Sequence, residues 1–359
     1  MFDIEPRPPT ASQEALLAAI FGGNGASTYI LGRNSYAVSV AATVQVAGFI
    51  DDYTTDREFL GHPVLRMSEV PMTATVISCV VEAHPVTALR RLREHGLVNV
   101  VDYFLLSRAA PGQFQGVAHL SGSIDDARSH TTAYEALYHA LANDESRDVL
   151  KRVLEFRCTG DVSRMEPFMV DVTRQYFEPF VTCQDGEVFV DGGGFDGGTT
   201  LEFIKRWPDY GSVHFFEPSN AAMSIARGQL APEKRVRYIP KGLYDRNTQL
   251  NFDGSSGSAS RVAESGCDVI DVATLDSEVS SPVNFIKLDV EGAECAALEG
   301  ARRHIIENHP KLAVCVYHNQ SDFWRVPEIV LGLRADYNIY LHHYSEGVLE
   351  TVMYFIPAT

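Results

Sequence analysis

Residues Val188 to Thr200 read VFVDGGGFDGGTT: an apolar run ends in an acid, five glycines follow within seven residues, and a helix-like TTLEFIKRW comes next. Strand, tight turn and helix satisfy that order, because glycine tolerates left-handed backbone angles and lets a neighbour lie against bare main chain. A strand feeding a helix in this way returns to a parallel neighbour, which commits this part of the chain to an α/β sheet. The alternation continues through VHFFEPS, AAMSIARGQL, VRYIPKGLYD, DVIDVATLD, PVNFIKLDVEGAECAALEGARRHIIEN and PKLAVCVYHNQ. YNIYLHHYS and ETVMYFIPA close it as two alternating segments, suited to an antiparallel pair at the sheet's edge.

An earlier series has the same plan. TYIL, the turn GRNSY, the helix-like AVSVAATVQ and VAGFIDD are followed by TATVISCV, TALRRLREHG and LVNVVDYFLL. These predict a small Rossmann-like domain over 25–110. APGQFQG breaks the pattern at Ala110–Gly116, and TTAYEALYHALAND and SRDVLKRVLEFR predict a helical linker region over 111–180, with Asp144 or Ser146 as a helix cap. The second α/β domain then runs over 181–359.

Composition limits the partners. With 30 basic and 47 acidic residues the formal charge is −17 and no basic stripe is present, so nucleic acid and anionic membrane are poor partners. The six cysteines, Cys79, Cys158, Cys183, Cys267, Cys295 and Cys315, form no C-x-x-C pair, which reads as reduced thiols in a cytoplasmic protein. The opening MFDIEPRPPT is unlike an export signal, and nowhere do eighteen apolar residues follow one another.

The glycine turn is a literal G-x-G-x-x-G at Gly192, Gly194 and Gly197, flanked by Asp191 and Asp196. A dinucleotide would bring its pyrophosphate to such a turn, attracted by backbone N–H groups and the helix dipole. The two acids oppose that anion by about 1 kcal/mol per pair in water, and more in a cleft. S-adenosylmethionine offers a sulfonium and an ammonium to the acids, while its carboxylate can use the N–H groups around Gly197 to Thr199. Glu217 ends the next strand, where an acid can accept from ribose hydroxyls in either kind of site. Asp289 closes the FIKLD strand, and Glu291 and Glu294 open the helix after it, positions that the helix dipole alone also favours.

These residues give the stretch from about Tyr176 to Pro357 a resemblance to the FkbM-type methyltransferases, carried by FVDGGGFDGGTT, VHFFEPS, GLYD, FIKLDVEGAECAALEGA and VYHNQSDFWRVPEIV. The resemblance implies a class I methyltransferase sheet of seven strands with an antiparallel last hairpin, and S-adenosylmethionine as cofactor. Asp191, Gly192, Gly193, Gly194, Phe195, Asp196, Gly197 and Thr199 then form the loop that holds the methionine part. Glu217 and Pro218 fall at the ribose, Gly242 and Leu243 near the adenine, and Asp289 at the fourth strand's end. Gly194 stands where members often have alanine, which should loosen the loop slightly.

The earlier domain resembles the sensing domains found before some such enzymes. Its turn keeps Gly32 but has Ala37, and Asp51 or Asp52 is a candidate ribose ligand, with a scaffold role or a contact in a homo-oligomer as the preferred expectation.

For the reaction, the resemblance suggests O-methylation of a small-molecule hydroxylated acceptor, sugar or polyketide-like. The rival readings are a NAD-dependent oxidoreductase and a catalytically silent binding module. Methyl transfer asks mainly for alignment, and a hydroxyl acceptor also needs a base. His318 is the candidate base and Asp289 an orienting acid or second base, with Glu291 and Glu294 facing the acceptor. A metal on Asp289, Glu291 and His318 lacks a recognisable ligand spacing, so none is expected. His342 and His343, adjacent in a strand, point to opposite faces and make a poor ligand pair.

Overall fold

The computed structural model describes residues 1–23, 27–253, 261–262 and 268–358. The chain divides into two units: one comprises Met1–Ser129, Lys151–Val170 and Tyr344–Leu349, the other His130–Leu150, Asp171–His343 and Glu350–Thr359.

The first unit holds a sheet of β1 (Thr28–Leu31), β2 (Gly48–Ile50), β3 (Glu58–Phe59), β4 (His62–Leu65), β5 (Thr75–Ser78) and β6 (Asn99–Asp102) in the order β3-β4-β2-β1-β5-β6. All neighbours pair in parallel except β3 with β4. Ile50, Met67, Val70, Ala74, Val76, Leu92 and Leu97 form a core cluster against it. The sequence reading of LVNVVDYFLL as strand holds only to Asp102. Tyr103–Ala109 is a helix, because the Asp102 side chain accepts the Leu105 N–H and caps a new helical turn. Asp51 is engaged by Arg33 Nε at 2.8 Å, and Asp52 by the Met67 N–H and Arg91, so both candidate ribose acids already have partners in their own unit.

Cys79, Cys158, Cys183, Cys295 and Cys315 are free thiols, and Cys267 lies outside the described residues. The helix Asp144–Thr159 is capped by Asn143, whose side chain accepts the Ser146 N–H, in place of the expected Asp144 or Ser146.

The second unit carries the seven-stranded sheet. Its strands are β7 (Val188–Gly192), β8 (Ser212–Phe216), β9 (Val236–Ile239), β14 (Phe285–Leu288), β15 (Lys311–Cys315), β16 (Tyr337–His343) and β17 (Thr351–Pro357), in the order β16-β17-β15-β14-β7-β8-β9. β17 runs antiparallel to both β15 and β16, while β15, β14, β7, β8 and β9 pair in parallel. This is the order and hairpin of a class I methyltransferase sheet. A second, four-stranded sheet joins β10 (Gly242–Leu243), β11 (Thr248–Asp253), β12 (Arg261–Val262) and β13 (Asp268–Ala273) as β10-β13-β11-β12.

β14 is buried at every residue, as expected of a parallel strand covered on both faces. Phe189 on β7 stacks on Phe203 at 4.4 Å and meets Phe285 on β14 at 5.0 Å between ring centroids. That aromatic layer fixes β7 beside β14, so the acids at their carboxyl ends emerge together. Among the described residues, no helix is long and apolar enough to cross a membrane.

Candidate active site

Order reverses between β7 and β14, so the crevice over the carboxyl ends of these strands is where an open α/β sheet receives ligands. The glycine turn lies there. Gly193 has φ +74°, and a Cβ on it would fall 1.8 Å from the Asp289 carbonyl oxygen, so only glycine lets the turn rest on the end of β14. Gly197, at φ +90°, precedes the helix Gly198–Arg206, whose first N–H, that of Gly198, donates to Asp196 Oδ1 at 2.9 Å. Phe195 is left-handed at φ +48° and half exposed.

Gly194 corrects the sequence expectation. A Cβ there would lie 2.2 Å from the Phe215 ring, which is fully buried, so glycine here makes room for an aromatic and does not act to loosen the loop.

Asp191 also plays a different part from the one its charge suggested. It is fully buried, its Oδ2 accepts from Thr200 Oγ1 at 2.7 Å, and Oδ1 lies 3.1 Å from Lys287 Nζ. Burial alone would lower the Lys287 ammonium, but Asp191 and Asp289 outweigh it and hold the lysine above its ordinary range. Lys287 also donates to the Gly192 and Gly193 carbonyls at 3.2 and 2.6 Å. Asp191 therefore anchors the turn through Lys287 and Thr200, and its charge is cancelled inside the protein. Thr199 is partly exposed in the first turn of the helix and does not make this bond.

Glu217 follows β8 and is nearly buried. Its two oxygens accept the N–H groups of Phe195 at 3.0 Å and Ser219 at 2.7 Å, tying the strand end to the glycine turn. Burial raises its carboxyl above the usual range against those two bonds. Leu243 packs onto Gly192, and Gly242 faces Pro218, so these two lie beside the ends of β7 and β8.

Beyond the turn is a dense cluster of ionisable groups. Asp289 accepts from Tyr176 Oη at 2.9 Å and Tyr317 Oη at 3.2 Å. His318 follows β15 and is almost wholly buried, with Nδ1 2.9 Å from Glu294 Oε1, and Nε2 3.2 Å from Glu291 Oε2 and 3.7 Å from Asp289 Oδ1. Burial would lower the imidazole, but Glu294, Glu291 and Asp289 hold it well above its ordinary value. His318, the candidate base from sequence, thus has both ring nitrogens facing carboxylates. Burial pushes Glu291 up to about 7, and likewise Asp322 and Glu350.

Tyr176, Tyr317 and Lys287 were not singled out from sequence. A lysine inside an otherwise apolar strand was a usable sign of a buried partner, whereas Tyr176, left-handed at φ +70°, reaches Asp289 from 113 positions away and left no local pattern. His342 and His343 stay outside the cluster: Nδ1 of the first is 3.0 Å from Glu178, and that of the second 2.8 Å from Thr351 Oγ1.

Comparison with known proteins agrees with the fold of the second unit. A family model, the methyltransferase FkbM domain, matches residues 191–344. The crystal structure of methyltransferase FkbM from Methylobacillus flagellatus shares the fold with a TM-score of 0.74 at 22% identity, covering 97% of this chain and 94% of that one. A putative rRNA methylase from Clostridium thermocellum gives 0.36 at 11% identity, covering 50% of this chain and 91% of that one. A putative methyltransferase from Streptococcus mutans, solved with SAH, gives 0.33 at 15% identity, covering 49% and 92%. No curated protein matches the sequence. With the sheet order, the hairpin and the family model in agreement, the chain carries an FkbM methyltransferase domain over residues 191–344.

Proposed function

We propose that the second unit is an S-adenosylmethionine-dependent methyltransferase that acts on a hydroxyl of a small molecule, of the sugar or polyketide-like class. The observation that carries this reading is the charge left over in the crevice. Asp191 is neutralised by Lys287, yet Asp289, Glu291 and Glu294 gather around one imidazole, and Glu217 stands at the end of β8 with only backbone N–H partners among the described residues. A pyrophosphate would meet this surplus of negative charge at close range, whereas a sulfonium and an ammonium are attracted to it.

When bound, S-adenosylmethionine supplies an electrophilic methyl group. The chain's own residues do the rest. The glycine turn offers backbone N–H groups at the start of the helix Gly198–Arg206 to a carboxylate. Glu217 keeps lone pairs beyond its bonds to Phe195 and Ser219, enough to accept from a ribose diol. Asp289 and Glu291 are the partly exposed carboxylates of the cluster, at 22% and 24%, and can hold an acceptor hydroxyl and receive its proton. Tyr176 and Tyr317 fix Asp289 in one orientation, and such positioning is where most of the gain in a displacement of this kind lies.

The acceptor class rests on the FkbM resemblance and on the acidic chain, which disfavours nucleic acid. Incubation with S-adenosylmethionine labelled on its methyl group and a panel of hydroxylated metabolites tests the reading. Label transfer that Asp289→Asn reduces by at least about tenfold supports it. Cofactor binding with no transfer to any hydroxyl would favour a silent binding module instead.

A further inference from the structure

We propose that Asp289, Glu291 and His318, with Glu294 orienting the imidazole from its Nδ1 edge, form a binding site for a hard divalent cation of the magnesium or manganese type. Asp289, Glu294 and His318 each place a ligand atom within 4.8 Å of the other two. Ligands at adjacent corners of an octahedron with bonds of about 2.1 Å lie about 3 Å apart. His318 Nε2 stands 3.2 Å from Glu291 Oε2 and 3.7 Å from Asp289 Oδ1, close to that spacing before any ligand-induced adjustment.

The other face of the ring completes the pattern. Glu294 Oε1 lies 2.9 Å from His318 Nδ1, the carboxylate–histidine arrangement that orients an imidazole and leaves its second nitrogen for a metal. Glu294 is fully buried, its Oε1 also takes the Val290 N–H at 2.9 Å, and its Oε2 has no hydrogen-bond partner among the described residues. A buried carboxylate oxygen left in that state normally has a partner still to come.

Three carboxyl groups converge on one imidazole, a gathering of oxygen donors that a divalent cation would hold together. Lys287, a cation that acts on Asp289, is committed to Asp191 and to two backbone carbonyls. A donor set of mainly carboxylate oxygen with one imidazole suits hard ions over soft ones.

Binding of Mn2+ to the full-length chain, followed by the loss of the free-ion electron paramagnetic resonance signal, tests the site without any methyl donor. Its failure would therefore leave the methyltransferase reading untouched. The expected result is one saturable ion per chain, with affinity lowered about 10- to 100-fold by Glu294→Gln. Glu291→Gln, on a partly exposed side chain, gives the same reading should Glu294→Gln fail to fold. No saturable binding by the unaltered chain at millimolar Mn2+ would overturn the proposal, as would unchanged affinity in either folded variant.

Discussion

Lys287 and Asp191 are register partners on adjacent parallel strands, Nζ to Oδ1 at 3.1 Å, and both side chains are shut away from solvent. An ion pair in that position costs desolvation and returns it only if both members are present. The pair also sets the glycine turn, since Lys287 binds the Gly192 and Gly193 carbonyls.

Asp191→Asn should therefore destabilise the fold by about 3–5 kcal/mol, because it strands a buried ammonium. Adding Lys287→Met to that variant should recover part of the loss, leaving the two carbonyls of the turn short of a donor. Urea denaturation of the single and double variants measures this. An Asp191→Asn variant as stable as the parent would contradict the role of the pair.

Gly194→Ala should cost about 1–3 kcal/mol, because its methyl must displace the buried Phe215 ring. With Phe215→Leu the two effects should be less than additive, as for residues that share one space. Strict additivity in a double-mutant cycle would show that the two side chains do not compete.

His214 on β8 gives a pH dependence. It is buried, neither ring nitrogen has a hydrogen-bond partner among the described residues, and burial, helped by Arg237 and His304, lowers it to about 4. The folded value lies below the unfolded one, so the stability it contributes is complete above about pH 6.5 and is lost as pH falls toward 4. The loss amounts to about 3 kcal/mol. Thermal melts across that window should show a slope that His214→Phe flattens; an equal slope in both proteins would remove His214 as its source.

Much of this was legible in the chain itself. Apolar periodicity marked β1, β2, β5, β7, β8, β14 and β15, and VFVDGGG and FIKLD marked the two strand ends whose acids meet. What periodicity could not carry was partnership across strands. Asp191 looks like a ligand in one dimension and becomes a structural ion only once Lys287 lies opposite it. His318 stands alone in the sequence, and only the fold brings Glu291 and Glu294, on the helix-opening turn after β14, around it. Short pairings such as β3 with β4 and β11 with β12 escaped notice because two-residue strands leave no period to read.

The crevice over β7, β8 and β14 is proposed to accept a cationic adenosyl compound. Equilibrium titration of the full-length chain with S-adenosylmethionine and with NAD, repeated on Glu217→Ala, checks this. Saturable binding of S-adenosylmethionine is expected, at least tenfold weaker in the variant, with no comparable binding of NAD. Preference for NAD, or an affinity for S-adenosylmethionine that Glu217→Ala leaves unchanged, would contradict it.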